Sequence, residues 1–409
     1  MPASAADKPQ PLWDAKRRAD PYGYYAELRR HRPVLRATVP GRGAVWVVTR
    51  YADAAALLKD PRFSNDRRAS GVPSPFFGGL PVPRSLRALS SNMVEADDPS
   101  HARLRGLVGR AFTPRRVAGL EARVERIAAD LLDRAAPRGR MDLVADFALP
   151  LPFTVIAELL GVPEAMRREF RARVRGVTAT PESLAMRLAV WLPRLIGFVR
   201  FFERLVAYRR RVPDDALITA LVSAEAEGDR LSPTELVGMV FILFFAGHET
   251  TVNLIGNGTL ALFDAPGEMA ALRADPSLTP AAIEELLRFT NPVEAVAMRY
   301  TREPVEIGGV AIPARATVMA LISSANRDPE AFPDPDRLDI RREGRSHLAL
   351  GAGSHYCLGA SLARLEARVA FEALLARFPR LRLDGPRDAV RWRPQGVLRG
   401  LNSLPVRWD

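Results

Sequence analysis

The 409-residue chain has one thiol, Cys357, in the stretch LGAGSHYCLG (Leu350–Gly359), between glycines and ahead of a helical pattern. Gly351, Gly353 and Gly359 permit tight or left-handed turns, so the loop can bring the sulfur close to something bulky. A helix beginning near Gly359 aims its free amides back at Cys357, which favours a thiolate over a thiol. Three chemistries suit such a sulfur. It can be a small buried hydrophobe, the usual place of a free cysteine, a nucleophile served by nearby His355, or a lone thiolate donor to iron. A second group of interest lies where the apolar run Leu236–Gly247 continues into AGHETT. Glu249 and Thr250 stand about 100° apart around a helix axis, so one can face a cavity and the other a polar channel. A carboxylate inside such a helix is costly unless paired or hydrated. It marks either an internal polar network or a proton-handling site. Gly247 just upstream lets a ligand approach the backbone, and a threonine hydroxyl can bond back to a carbonyl.

Elements able to position these groups are legible around them. Ser232, Pro233 and Glu235 form a capping box that opens the long apolar helix, and a helix apolar on all sides has to be buried. Thr279 and Pro280 open a second helix, on which Glu285 and Arg288 sit at i, i+3 and can pair. The pattern is mostly helical from Ser100 to about Phe263, with breaks near Pro114, Pro163, Pro181 and Pro213. Short β patterns follow residue 295 (VAMRYT, VEIGGVAIP, ATVMAL), with Gly308–Gly309 as a hairpin signal. Residues 66–92 read as a long loop and residues 1–11 as a loose tail. The whole reads as a mainly α chain with small β-sheets (α+β), one large domain over 12–409, with a β portion toward either end.

Composition narrows the function classes. Hydrophobic residues at 47% and charged residues at 26% fit a globular chain with ample core. One cysteine excludes an intramolecular disulfide and an all-cysteine zinc site. The opening MPASAADKPQP is polar, without the apolar stretch of a signal peptide, and the longest apolar run is too short to span a bilayer. A cytoplasmic protein without a membrane anchor is expected. The net charge of +12 invites a nucleic-acid reading, but the arginines are scattered through amphipathic helices, and the densest run, Arg209–Arg211, reads as a solvated helix end. No nucleic-acid partner is expected. A basic patch that steers an acidic protein partner suits this charge better.

Taken together and in order, these motifs resemble the cytochrome P450 family, of the soluble bacterial type. The resemblance rests on the cysteine loop, the Glu249–Thr250 pair, the Glu285-x-x-Arg288 motif, His101 and Arg105 in SHARLRG, Arg299 in VAMRYT, and the segment ANRDPEAFPDPDRLDI. It runs from about residue 12 to the C-terminus. Leu350 stands where the family pattern has phenylalanine.

The resemblance implies a single triangular-prism fold around a buried haem b, with Cys357 as axial thiolate. It implies propionate anchors at His101, Arg105, Arg299 and His355, and room for O2 at Ala246 and Gly247. Thr250 would order the water that delivers protons, and Glu249 would relay them. By position in the family pattern, substrate would meet Met93, Leu243, Ala246, Val293, Val296 and Leu398. A lid would include Phe76 and Phe77 together with the helix pair carrying Trp191 and Phe198. The implied activity is a monooxygenase, an oxidoreductase hydroxylating or epoxidising a hydrophobic small molecule of fatty-acid, terpenoid or macrolide/polyketide type, as in secondary metabolism. It would use O2 and electrons from a ferredoxin (or flavodoxin) and its NAD(P)H-dependent reductase, and act as a monomer. A peroxide-driven peroxygenase and a non-catalytic haem-binding sensor are the alternatives; the acid–alcohol pair argues against the first, which needs no proton relay.

Overall fold

The computed structural model describes residues 9–14, 17, 19–39, 43–72, 84–177, 184–223, 230–296, 298–344, 346–393 and 397–409. Its longer helices are α1 (Tyr22–His31), α2 (Ser100–Ala111), α3 (Glu121–Ala135), α4 (Pro150–Leu160), α5 (Glu164–Val177), α6 (Leu192–Arg211), α7 (Pro233–Asp264), α8 (Thr279–Thr290) and α9 (Ala360–Arg377). The strands are β1 (Gln10–Pro11), β2 (Val34–Val39), β3 (Gly43–Val48), β4 (Phe63–Ser64), β5 (Arg140–Asp142), β6 (Arg299–Thr301), β7 (Val305–Ile307), β8 (Val310–Ile312), β9 (Thr317–Ala320), β10 (Arg382–Leu383) and β11 (Pro405–Arg407).

The chain is mainly α with small sheets, and α7 is its axis. The capping box at Ser232 and Glu235 forms as expected, with both reciprocal hydrogen bonds present. From there α7 runs 32 residues without interruption, packed against α4, α6, α8 and α9. Among the described residues it alone is long and apolar enough to cross a membrane by length and composition, yet much of it is buried inside the protein. Close approach along α7 is bought with glycine: a Cβ at Gly238 would lie 2.3 Å from the Ala88 carbonyl oxygen, and one at Gly258 would lie 2.7 Å from Phe371.

The strands near the two ends of the sequence are not separate portions. They form one six-stranded sheet of order β1-β2-β3-β9-β6-β4, in which β3 runs parallel to β9 with Trp46 opposite Val318. Gln10 and Pro11 lie in this sheet beside Ala37 and Thr38, so the tail expected over residues 1–11 ends earlier; residues 1–8 lie outside the described part. The Gly308–Gly309 hairpin is present between β7 and β8, both glycines having positive φ. The long loop expected over 66–92 contains a 3-10 helix at Arg84–Ser90, and a second follows at Met93–Glu95. Thr279 is the first residue of α8 rather than its cap; its hydroxyl donates to the Pro276 carbonyl at 2.7 Å.

Two arginines show what packing does to charge. Arg209, read as part of a solvated run, is instead buried: its guanidinium donates to the Gly161 carbonyl and pairs with Asp214 at 2.6 Å. Gly161 has positive φ and closes α4, so its carbonyl needs this donor. Arg288 is buried and held at 2.7 Å by both oxygens of Glu285. Its remaining N–H groups donate to the carbonyls of Asn326 and Pro335, while Glu285 also accepts from the Asp339 amide and from Arg342. The pair thus ties α8 to residues 326–342. Removing one partner strands a buried charge. Glu285→Ala is expected to cost about 3–5 kcal/mol in chemical denaturation, and a cost near that of an exposed pair would contradict this role.

Candidate functional site

Cys357 lies where the loop after residue 348 turns into α9. The Cys357 amide donates to the Leu350 carbonyl at 2.9 Å, so the loop closes on itself, with Leu350 buried beneath. Glycine is required at 353: its φ is +70°, and a Cβ would lie 2.9 Å from the Leu58 carbonyl oxygen. The sulfur is walled by protein, yet it has open surface on one side, and that side is a cleft. Burial pushes the Cys357 thiol up; the Gly359 N–H, Arg105 and Arg364 pull it back only in part. A metal ion bound there would favour the thiolate, because a coordinating thiol is deprotonated.

The cleft measures about 880 Å³ with its mouth included, and its lining is mostly apolar. Met93, Leu243, Ala246, Gly247 and Thr250 line it, as do His101, Arg105, His355 and Cys357. One cavity therefore gathers the cysteine loop, the start of α2 and the middle of α7, although 256 positions (357 − 101) separate His101 from Cys357 in the chain. Val94, Phe112, Ile156, Leu217, Ile242, Thr251, Tyr356, Leu358, Gly359, Leu362 and Ala363 complete the lining. The sequence reading did not single these out as contacts; Thr251, adjacent to Thr250, and the loop residues beside Cys357 carried a signal that could have drawn attention to them.

Polar groups at one edge of the cleft lack partners. His101 stacks on His355 with ring centroids 4.0 Å apart. Its Nδ1 faces Asp98 at 3.2 Å, while its Nε2 is buried without a hydrogen-bond partner. His355 Nε2 meets Asn65 Nδ2 at 2.8 Å, and burial with nearby His101 and Arg299 lowers His355 to about 3. Arg299 is buried on β6, outside the cleft lining, and pairs through its backbone with Val318, while its guanidinium makes no hydrogen bond or ion pair among the described residues. Burial lowers it to about 10, and Asp97 only partly offsets this. A buried guanidinium beside an orphaned imidazole nitrogen is a mismatch that a buried anion would resolve. Arg105 donates to the Tyr356 carbonyl at 2.9 Å and so reaches the cysteine loop directly.

On α7 the acid and the alcohol diverge. The Thr250 hydroxyl lines the cleft and donates to the Ala246 carbonyl at 2.7 Å. Glu249 does not line the cleft; it pairs with Arg393 at 2.6 Å on another side of the helix. Burial pushes the Glu249 carboxyl up, and Arg393 opposes this. The remaining sequence-expected contacts separate from the site. Val293 bridges to Leu398, and Val296 packs under the sheet; neither they nor Leu398 line the cleft. Trp191 and Phe198 are buried, the latter among Phe170, Phe202, Phe241 and Phe244. Phe76 and Phe77 lie outside the described residues.

The sequence profile described as Cytochrome P450 matches residues 198–399. The chain is 46% identical to the cytochrome P450 monooxygenase PikC of Streptomyces venezuelae over 95% of this chain and 91% of that protein. It is 44% identical to 6-deoxyerythronolide B hydroxylase of Saccharopolyspora erythraea, over 95% of this chain and 96% of that one. The chain belongs to the cytochrome P450 family. Among solved structures, the polyketide-synthase cytochrome P450 PksS of Bacillus subtilis superposes with a TM-score of 0.89 at 38% identity, covering 98% of this chain and 99% of that one. This P450 is a monooxygenase, an oxidoreductase whose cofactor is haem b. The site fits that cofactor on its own evidence. One sulfur faces a large apolar cleft, and two unsatisfied cationic or donor groups stand where anionic side groups can meet them.

His248, beside the acid, serves packing. It stacks on Phe244 at 5.5 Å and meets Phe153 edge-on, and burial lowers it to about 4. An unfolded histidine titrates near 6.5, so the unfolded state binds the extra proton first. Stability is therefore full above about pH 6.5 and falls as pH drops toward 4. His248→Phe is expected to shrink the loss of Tm between pH 7 and pH 5. An unchanged loss would show that His248 is not the group responsible.

Proposed function

We propose that Cys357 is the axial ligand of the haem iron and that His101, Arg105, Arg299 and His355 receive its propionates. The observation that carries this reading is the sulfur at the wall of an apolar cleft that also contains Thr250, with the orphaned His101 nitrogen in its lining and the buried Arg299 guanidinium near His355. When bound, the haem supplies dioxygen activation, with thiolate donation favouring O–O cleavage. The balance is R–H plus O2, two electrons and two protons giving R–OH and water.

The chain's own residues supply the rest. The apolar walls at Met93, Leu243 and Ala246 exclude water and orient a hydrophobic substrate. Thr250, free to exchange its bond to the Ala246 carbonyl for one to water, orders the proton donor in the cleft. Glu249 passes protons to that water from outside. Gly247 leaves room beside Thr250, since a Cβ there meets only Ile156 at 3.6 Å.

The substrate class is a hydrophobic polyketide or macrolide-type molecule. Support comes from the apolar cleft and from relatives named for 6-deoxyerythronolide B hydroxylation and for a polyketide synthase. Electrons come from a ferredoxin-type protein, in keeping with the net charge of +12 and with Arg105 and Arg364 against Tyr356 of the cysteine loop. A monomeric, cytoplasmic enzyme accords with this reading, as does a single catalytic domain over residues 12–409.

Cys357→Ser is expected to abolish the strongly red-shifted band of the reduced, carbon-monoxide-treated protein; a retained band would sink the ligand assignment. Thr250→Ala is expected to consume NAD(P)H while yielding less product, hydrogen peroxide making up the difference. Unchanged product per NAD(P)H would remove Thr250 from proton delivery. A panel of polyketides, terpenoids and fatty acids should show low- to high-spin shifts for the first class at the lowest concentrations; preference for another class would overturn the substrate reading.

A further inference from the structure

The C-terminal segment packs along one stripe of α7, and the stripe is polar. Glu249, Asn253 and Asn257 stand at i, i+4 and i+8, which places them on one helix face. Each meets the strand pair formed by residues 391–393 and 397–402. Glu249 pairs with Arg393 at 2.6 Å. Asn253 lies so close to Gly400 that a Cβ there would be 2.0 Å from its side-chain oxygen. Asn257 donates to the Arg399 carbonyl at 2.8 Å. The strand pair is itself braced: the Arg393 amide donates to the Gly400 carbonyl, the Asn402 amide to the Arg391 carbonyl, and Arg399 stacks over Trp392 at 3.7 Å. Arg393 also donates from Nε to the Leu401 carbonyl at 3.2 Å, which fixes its direction.

Two features make this stripe more than a packing contact. Both side-chain atoms of Asn253 and the Asn257 oxygen are buried without partners, so they offer sites for water beside the acid. The Glu249 and Arg393 side chains keep 16% and 28% of their surface accessible, while Glu249 is absent from the cleft lining. The acid thus keeps some accessible surface while pairing with this strand pair and standing outside the cleft lining. His248 points elsewhere, onto Phe244, and Arg393 is the charged group facing Glu249 among the described residues.

We propose that Arg393 is the positioning residue for Glu249, holding its carboxylate toward the C-terminal strand pair so that protons enter from that side and reach Thr250 across α7. Arg393 touches neither substrate nor cofactor; it acts through the acid. The inference rests on the relay role given above to Glu249, and its test separates the two. Arg393 also opposes the burial that pushes the Glu249 carboxyl up, so removing it should shift that carboxyl further toward its protonated form.

The experiment uses the haem-loaded Arg393→Ala, Arg393→Lys, Glu249→Gln and Arg393→Ala/Glu249→Gln proteins. Infrared spectra at pH 7 read the carboxyl C=O region. Glu366, buried and pushed up to about 8, contributes to every variant, so differences from wild type are the readout. Arg393→Ala is expected to gain a protonated-carboxyl band that is missing from wild type, from Arg393→Lys and from the double variant. Product per NAD(P)H should fall roughly tenfold in Arg393→Ala, less than the about 10²–10⁴-fold of losing a general acid outright because Arg393 acts through the acid, recover in Arg393→Lys, and be no lower in the double variant than in Glu249→Gln. An Arg393→Ala protein without the new band, or a double variant whose losses multiply, would overturn the proposal. Wild-type coupling in Glu249→Gln would instead reject the relay role of Glu249, leaving the infrared band to decide whether Arg393 governs the acid.

Discussion

The cysteine loop is held by a buried ion pair some distance away in sequence. Arg288, fixed by Glu285, donates to the Asn326 carbonyl at 2.8 Å. The Asn326 side chain accepts the Leu348 amide at 2.8 Å and donates to Asn291 at 2.6 Å. Leu348 accepts the Gly351 amide, and Leu350 accepts that of Cys357, both at 2.9 Å. The sulfur is thus located by a relay of main-chain bonds that begins in the core. A buried pair of this kind is a costly way to gain stability compared with apolar packing. Its value here is direction: a guanidinium fork addresses carbonyls from three separate turns at once, which an apolar side chain cannot do.

The central helix α7 solves a second problem. It is apolar enough to be buried, yet it presents three different polar faces over three consecutive residues. His248 goes into the aromatic cluster, Glu249 toward the C-terminal strands, and Thr250 toward the cleft. A turn of 3.6 residues makes this separation automatic. The acid and alcohol can therefore be neighbours in sequence, differ in solvent access, and still be linked through a single turn of backbone.

Much of this was legible in the sequence because it rests on local rules. The capping box at Ser232, the Gly308–Gly309 hairpin and the glycines around Cys357 each follow from backbone sterics within a few residues. His101, Arg105, His355, Thr250 and Cys357 were named and do share one cavity. Less legible were positions that depend on tertiary direction. Val293, Val296 and Leu398 are apolar and near the site in sequence order, but they stand outside the cleft lining, Val293 bridged to Leu398 and Val296 packed against the cluster beside the sheet. Arg209 looked like a solvated charge because no local pattern announces that a helix-ending carbonyl at Gly161 will need it. Arg393 gave no sign at all: an arginine among many near a C-terminus acquires meaning only when the strands fold back on α7.

The six-stranded sheet ties chapters of the chain that leave the ribosome far apart. β3 cannot complete its pairing until β9 is made, since Trp46 lies opposite Val318. Until then the β2–β3 hairpin has an open edge of unpaired amides and carbonyls, the kind of edge that recruits other strands. β6, which carries Arg299, joins through β9 and is therefore also late. A nascent or truncated chain ending before residue 320 would contain α1 to α8 but lack α9 and expose this edge. Synthesis rate and chaperone cover over that interval thus bear on how much enzyme a cell obtains.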